Sequence, residues 1–245
     1  MKKINIVIPM AGRGSRFYDV GYNDPKPMIQ VCDMPMIEFV VNNLTPKKYN
    51  PKFIFICQES ILTNDKFKSF IKNLQNEYEI IPINYITNGA AETVLLARDL
   101  IDNDDHLMIA NCDQFVDIEI DSYIDFAFQS EGCIMTMYAD HPKWSYIKYE
   151  NELIVDVVEK EVVSNDATVG IYNFKFGKSF VYGADQMIRK DRKVNDEFYV
   201  APVYKQLLEN GMKIAIYDIT GKMHGLGTPE DLMSFKKHLK STKCH

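Results

Sequence analysis

The chain lacks a C-x-x-C pair, an apolar run of membrane-spanning length, a basic excess, internal repeats and low-complexity tracts. Each absence excludes something. Its five cysteines (Cys32, Cys57, Cys112, Cys133 and Cys244) are odd in number and unpatterned, which reads as reduced thiols and not a disulfide framework. Cys57 and Cys112 sit in strand-like runs and read as small core residues. Lysine and arginine total 28 against 34 aspartates and glutamates, a net charge of −6. That balance argues against a general binder of nucleic acid or anionic membrane, which needs a basic face. The opening MKKINIVIPM is short and is broken by Pro9, unlike a secretory signal. The expected location is therefore the cytoplasm, with no membrane partner.

What is present is an ordinary globular composition, 46% hydrophobic and 25% charged over 245 residues, enough for one large α/β domain. Apolar runs and helical patterns alternate. Strands are expected at Ile4–Ile8, Phe53–Cys57, Ile80–Ile86 (interrupted by Pro82) and His106–Ala110. Helices are expected at Met34–Leu44, Thr63–Asn76 and Ala91–Ile101. This order predicts a parallel sheet with helices on both faces and a binding crevice beyond the carboxyl ends of its strands. The second half changes character, with short strands at Cys133–Tyr138, Tyr146–Tyr149, Ile154–Glu159 and Ala167–Phe174. A helix over Asn195–Asn210, a strand at Lys213–Ile219 and a helix over Pro229–Leu239 follow. The expectation is one α/β domain over residues 1–245 with a Rossmann-like mixed, mainly parallel sheet. Residues 1 to about 120 would form a nucleotide-binding half, and residues from about 121 to 245 an acceptor-binding half.

The first strand runs into Met10-Ala11-Gly12-Arg13-Gly14-Ser15-Arg16-Phe17. A buried strand feeding a glycine-broken loop can wrap backbone N–H groups around phosphates. Arg13, Arg16 and Lys26 add positive charge beside it, and a triphosphate is the expected guest. The loop is not a Walker A sequence, since no Gly-Lys-Ser/Thr follows. It is not a dinucleotide fingerprint either, since Phe17 stands where the last glycine belongs. Lys26 lies between Pro25 and Pro27, which stiffen the backbone around it. Read alone, it could equally be a solvated lysine in a proline turn. Asn88 and Gly89 lie between a strand and a helix, where Asn88 by itself reads as a helix cap. Asp113 follows an apolar strand, where a carboxylate can hold a divalent metal against phosphates or simply make a turn.

Taken together, Gly12-Arg13-Gly14-Ser15-Arg16-Phe17 and Pro25-Lys26-Pro27-Met28 resemble the signature of the nucleotidylyltransferases that make activated sugars and related compounds. The resemblance runs over nearly the whole chain and implies a GT-A-like nucleotidyltransferase fold with Mg²⁺ as cofactor. It implies that Met10 to Ser15 hold the nucleotide, that Arg16 and Lys26 neutralise its phosphates, and that Asp113 binds the metal. Thr87 to Thr93 is similar to the family's base-recognition stretch, which makes Asn88, Gly89 and Glu92 candidate nucleotide contacts. Val157-Val158-Glu159-Lys160 resembles the motif whose lysine holds the acceptor phosphate. Gly170-Ile171-Tyr172 resembles a strand against which the acceptor lies. Asn195, Glu197 and Trp144 complete the acceptor candidates. Asn195 and Glu197 read equally as the start of a helix.

One departure stands out. Where sugar-activating members carry W-x-D-[TVI]-G-T-P, this chain has Met223-His224-Gly225-Leu226-Gly227-Thr228-Pro229. Gly225 replaces the second metal ligand of that pattern, and His224 reads as a structural histidine more readily than as a ligand. The implied partners are an NTP and a phosphorylated small molecule. The acceptor would be a sugar 1-phosphate, or a non-sugar phosphate such as phosphocholine or phosphoglutamine used with CTP. Pyrophosphate would be released, in the service of capsule or other surface polysaccharide. A metal-dependent glycosyltransferase of the same fold and a non-catalytic nucleotide-binding relative are the competing readings. The base and the assembly state, a homo-oligomer among the options, stay open at this level.

Overall fold

The computed structural model describes residues 1–242, so Cys244 lies outside it. One nine-stranded sheet runs through both halves of the chain. Lys3–Met10 lies at its centre, parallel to Asn50–Gln58 on one side and to His106–Ala110 on the other. Glu77–Ile83 extends this parallel part as its edge strand. In the first strand Ile4, Ile6 and Ile8 pack into one apolar cluster and Val7 into another. Phe53 and Phe55 likewise part from Ile54 and Ile56. Strands buried on both faces need no polar alternation, which is why they read as continuous apolar runs.

The second half turns the sheet antiparallel. Asp166–Phe174 runs against His106–Ala110 and Gly132–Tyr138, and meets Ser145–Glu150 through Ala167 and Tyr146. Leu153–Glu159 pairs antiparallel with Ser145–Glu150, and Ile214–Asp218 joins Gly132–Tyr138 in parallel. Helices Met36–Leu44, Asp65–Asn73, Ile120–Ala127 and Pro229–Thr242 cover one face. Ala90–Leu95, Gly177–Arg189 and Val203–Glu209 cover the other. The result is the mixed α/β architecture expected, with its parallel strands concentrated in the first half.

Several element boundaries differ from expectation. Pro9 does not end the first strand, which continues to Met10; it lies beyond Val7, the last residue registered with the His106–Ala110 strand. Pro82 likewise lies inside its strand, tolerated because that strand is an edge. The expected helix at Thr63 begins only at Asp65, capped by Asn64, whose side chain accepts from the N–H groups of Lys66 (3.0 Å) and Phe67 (3.3 Å). Ala91–Ile101 is split into Ala90–Leu95 and Arg98–Ile101.

The helix expected over Asn195–Asn210 is the largest correction. Only Val203–Glu209 is helical. Asn195 (φ +48°) and Asp196 (φ +63°) are left-handed, and Val194 and Glu197 exchange two backbone hydrogen bonds of 3.0 Å across them. Two successive left-handed residues make a tight turn that no α-helix can contain. The helix Gly177–Arg189 forms where the sequence patterning predicts none. Gly183 hides its pattern, and there a Cβ would come within 2.8 Å of Val203 Cγ1, so the glycine allows two helices to approach closely.

Candidate active site

The site is built where strands end. At the end of the first strand, Gly14 is left-handed (φ +63°) and starts the short helix Ser15–Tyr18. A side chain there would be strained by that conformation and would meet Lys26 Cβ at 2.9 Å. Phe17 is buried beneath the helix, which contributes about 2–3 kcal/mol toward fixing the loop. Lys26 opens a single 3₁₀ turn over Lys26–Met28. Pro27 and Met28 are buried there, so the lysine is held by what lies under it.

The Lys26 ammonium makes an ion pair with the Asp113 carboxylate, and both side chains are about one-fifth to one-quarter exposed. Burial alone would lower the lysine pKa. Asp113, by charge and hydrogen bond, overrides this and holds the value above the ordinary lysine value, against opposition from Arg16. The C-terminal segment closes over the pair. Leu226 N–H donates to the Asp113 carbonyl (2.8 Å), and a Cβ on Gly227 would lie 2.7 Å from Asp113 Oδ2. Around these groups lies an open cavity of about 400 Å³, lined by Met10, Gly12, Gly14, Ser15, Arg16 and Lys26 on the loop side. Cys112 also lines it, but burial pushes its thiol up to about 12, which makes it a poor nucleophile.

A second cavity, of about 420 Å³, opens beside the first. Trp144, Lys160, Gly170, Tyr172 and Glu197 line it, together with Tyr199. These are five of the six residues expected on the acceptor side. Glu159 forms part of its wall, accepting a hydrogen bond from Ser145 Oγ; burial raises its pKa against that bond and the neighbouring Lys160. Arg16, Ala90, Asn111 and Glu197 line both cavities. The two spaces therefore share a seam, at the carboxyl end of the His106–Ala110 strand.

Other expected residues lie elsewhere. Asn195 lies on its tight turn, outside both linings. Arg13 faces a neighbouring cavity with Tyr18, Asp24 and Gln58. The Ala11 carbonyl accepts from Gln58 Nε2 (2.9 Å). Glu92 accepts from the backbone N–H of Asn88, and Gly89 packs so closely on Phe198 that a Cβ would lie 2.5 Å from its carbonyl oxygen. Asn88, Gly89 and Glu92 thus border neither of the two joined cavities. His224 is packed among Phe115, Phe235 and His238. A Cβ on Gly225 would sit 3.4 Å from the Asp231 carboxylate. Asn111 and Tyr199 escaped sequence reading. Asn111 is next but one to Asp113, which was the available signal; Tyr199 was hidden inside the expected helix.

Among the described residues no three His, Cys, Asp or Glu side chains converge on one point. The Asp113 carboxylate is a hard oxygen donor on the wall of the first cavity. That set suits a magnesium ion carried mainly by substrate phosphates and water, the usual way this ion is bound.

Residues 6–242 match the Nucleotidyl transferase family, and the chain belongs to that family. It is 24% identical over 245 residues to the bifunctional protein GlmU of Methanococcus maripaludis, covering 96% of this chain and 54% of that protein. It is 23% identical over 238 residues to the low-salt glycan biosynthesis nucleotidyltransferase Agl11 of Haloferax volcanii, covering 93% of this chain and 63% of that one. The chain thus spans between half and two thirds of the length of these relatives. The crystal structure of a nucleoside-diphosphate-sugar pyrophosphorylase from Vibrio cholerae RC9 superposes with a TM-score of 0.77 at 23% identity, covering 95% of this chain and 99% of that one. This last likeness establishes the shared fold.

Proposed function

We propose that this chain is a nucleotidylyltransferase that joins an NTP to a phosphorylated acceptor and releases pyrophosphate. The observation that carries the reading is the shared seam. Two cavities, one bordered by a glycine-and-cation loop and one by Lys160, meet along Arg16, Ala90, Asn111 and Glu197. An NTP in the first cavity places its α-phosphorus at that seam, and an acceptor phosphate oxygen attacks in line from the second. Such transfers are accelerated by positioning and by charge neutralisation. Arg16 and Lys26 neutralise the triphosphate, and Lys160 holds the acceptor phosphate. Asp113 is the carboxylate that would hold Mg²⁺, which when bound screens the phosphate charge.

The acceptor is a sugar 1-phosphate or a small non-sugar phosphate, and the product would feed surface polysaccharide assembly. The names carried by the relatives support the sugar branch. The aromatic wall of Trp144, Tyr172 and Tyr199, with two glutamates, provides flat faces and hydrogen-bond acceptors for either kind of acceptor. The test is a matrix of ATP, CTP, GTP, UTP and dTTP against phosphorylated acceptors, read by pyrophosphate release. One productive pair supports the reading. Release of a nucleoside diphosphate from a nucleotide-sugar, with no pyrophosphate from any pair, would replace it with glycosyl transfer.

A further inference from the structure

Lys160 is an exposed residue with a left-handed backbone (φ +58°), an uncommon conformation for a side-chain-bearing residue. Its backbone N–H donates to the Trp144 carbonyl at 3.0 Å, which holds that conformation in place. Its ammonium donates to the Tyr199 hydroxyl and sits 4.7 Å from the centre of the Tyr199 ring. The phenol hydroxyl is therefore the group that grips the cation, at the edge of the ring. An ammonium has three N–H donors, so the grip leaves others free to face the cavity. Glu159 and Glu197 are the carboxylates whose charge also acts on it.

Tyr199 is itself anchored to the other side of the seam. The neighbouring Phe198 donates from its N–H to the Asn88 carbonyl (2.6 Å) and accepts from the Ala91 N–H (2.9 Å). The strap that carries Glu197 and Tyr199 is thereby tied to the loop at the start of the Ala90–Leu95 helix.

We propose that Tyr199 is a positioning residue that fixes the Lys160 ammonium at the acceptor cavity, so that a phosphate group meets an already ordered cation. This rests on the reading of the second cavity as the acceptor site. A free lysine must lose much of its side-chain freedom to bind an anion. With Tyr199 in place, that loss has already occurred in the folded chain.

The test needs no identified acceptor. The probe is inorganic phosphate, titrated into the full chain carrying ¹⁵N-labelled lysine, with the Lys160 Nζ signal assigned by its loss in Lys160→Met. Tyr199→Phe keeps the ring and its packing but removes the hydroxyl. The expected result is a dissociation constant for phosphate at Lys160 about tenfold or more weaker than in the unaltered chain, in keeping with loss of a hydrogen bond to a charged group. The Lys160 pKa is also expected to fall. Tyr199→Leu, which also removes the hydroxyl, is expected to weaken phosphate binding by a similar factor. An unchanged or tighter phosphate constant in Tyr199→Phe, in a protein with an unaltered melting temperature, overturns the proposal. If Tyr199→Phe is unfolded, Tyr199→Leu, which likewise offers no acceptor to the ammonium, decides by the same criteria. The pyrophosphate matrix decides the acceptor reading independently. A chain that makes no pyrophosphate but shows the expected phosphate result would refute that reading and retain the clasp.

Discussion

The two cavities hold their lysines in opposite ways. Lys26 is largely buried and paired with a carboxylate in a proline turn. Lys160 is exposed, lies on a left-handed residue and is paired with a neutral phenol. The first arrangement is a fixed part of the fold, because removing the lysine leaves a partly buried carboxylate unpaired. The second holds its cation through a neutral hydroxyl, so removing that lysine leaves no charge unpaired on its partner. One cavity thus carries a cation paired with a carboxylate in a proline turn, and the other a cation held by a hydroxyl from a separate strap.

The largest effect expected from breaking this contrast is at Lys26. Lys26→Ala should lower kcat/KM for pyrophosphate release by about 10²–10³, or about 3–4 kcal/mol of transition-state stabilisation, while circular dichroism shows a folded chain. Activity near that of the unaltered protein would remove Lys26 from the site. Next comes Gly227→Ala. Its new methyl would press on Asp113 Oδ2, and kinetics should show about a tenfold loss with little change in melting temperature.

A smaller effect separates the site from its scaffold. Burial lowers the pKa of His224, with the His238 charge adding to it, and burial lowers that of His106, with Lys2 adding. The folded chain therefore takes up protons at these rings less readily than the unfolded one. The stability linked to them is complete above the unfolded value of about 6.5 and is lost as pH falls through that value toward the folded ones. Urea melts between pH 7.5 and 5.5 should show this slope, and His224→Asn should flatten it. A slope unchanged in that variant would remove His224 as a source. The smallest effect is at Cys112, whose thiol is held protonated. Cys112→Ala should keep turnover within a small factor, whereas loss of turnover would give that thiol a role in the reaction.

The same contrast governs what was legible in the sequence. Residues 12–17 and 25–28 are local and contiguous in sequence, and Gly12, Gly14, Ser15, Arg16, Phe17, Lys26 and Pro27 among them line the first cavity. The apolar runs at Ile4–Ile8, Phe53–Cys57 and His106–Ala110 reported strands buried on both faces. The second cavity is assembled from Trp144, Lys160, Gly170, Glu197 and Tyr199, which approach one another only through antiparallel register and turns. Two left-handed residues, Asn195 and Asp196, convert an expected helix start into the strap that delivers Tyr199. Asn and Asp tolerate that conformation, but a run of polar residues gives no sign that they adopt it. Gly89 and Glu92 were legible as a motif, yet close packing on Phe198 and the Asn88–Glu92 hydrogen bond determine what they do locally.

The most direct test is a crystal structure of the chain with an NTP analogue whose α,β-bridging oxygen is replaced by an imido group. The α-phosphate is expected at the seam, within reach of Arg16 and Asn111, with the outer phosphates against Gly12, Gly14 and Lys26. A nucleotide lodged instead in the cavity of Tyr18 and Gln58, with the seam vacant, would contradict it.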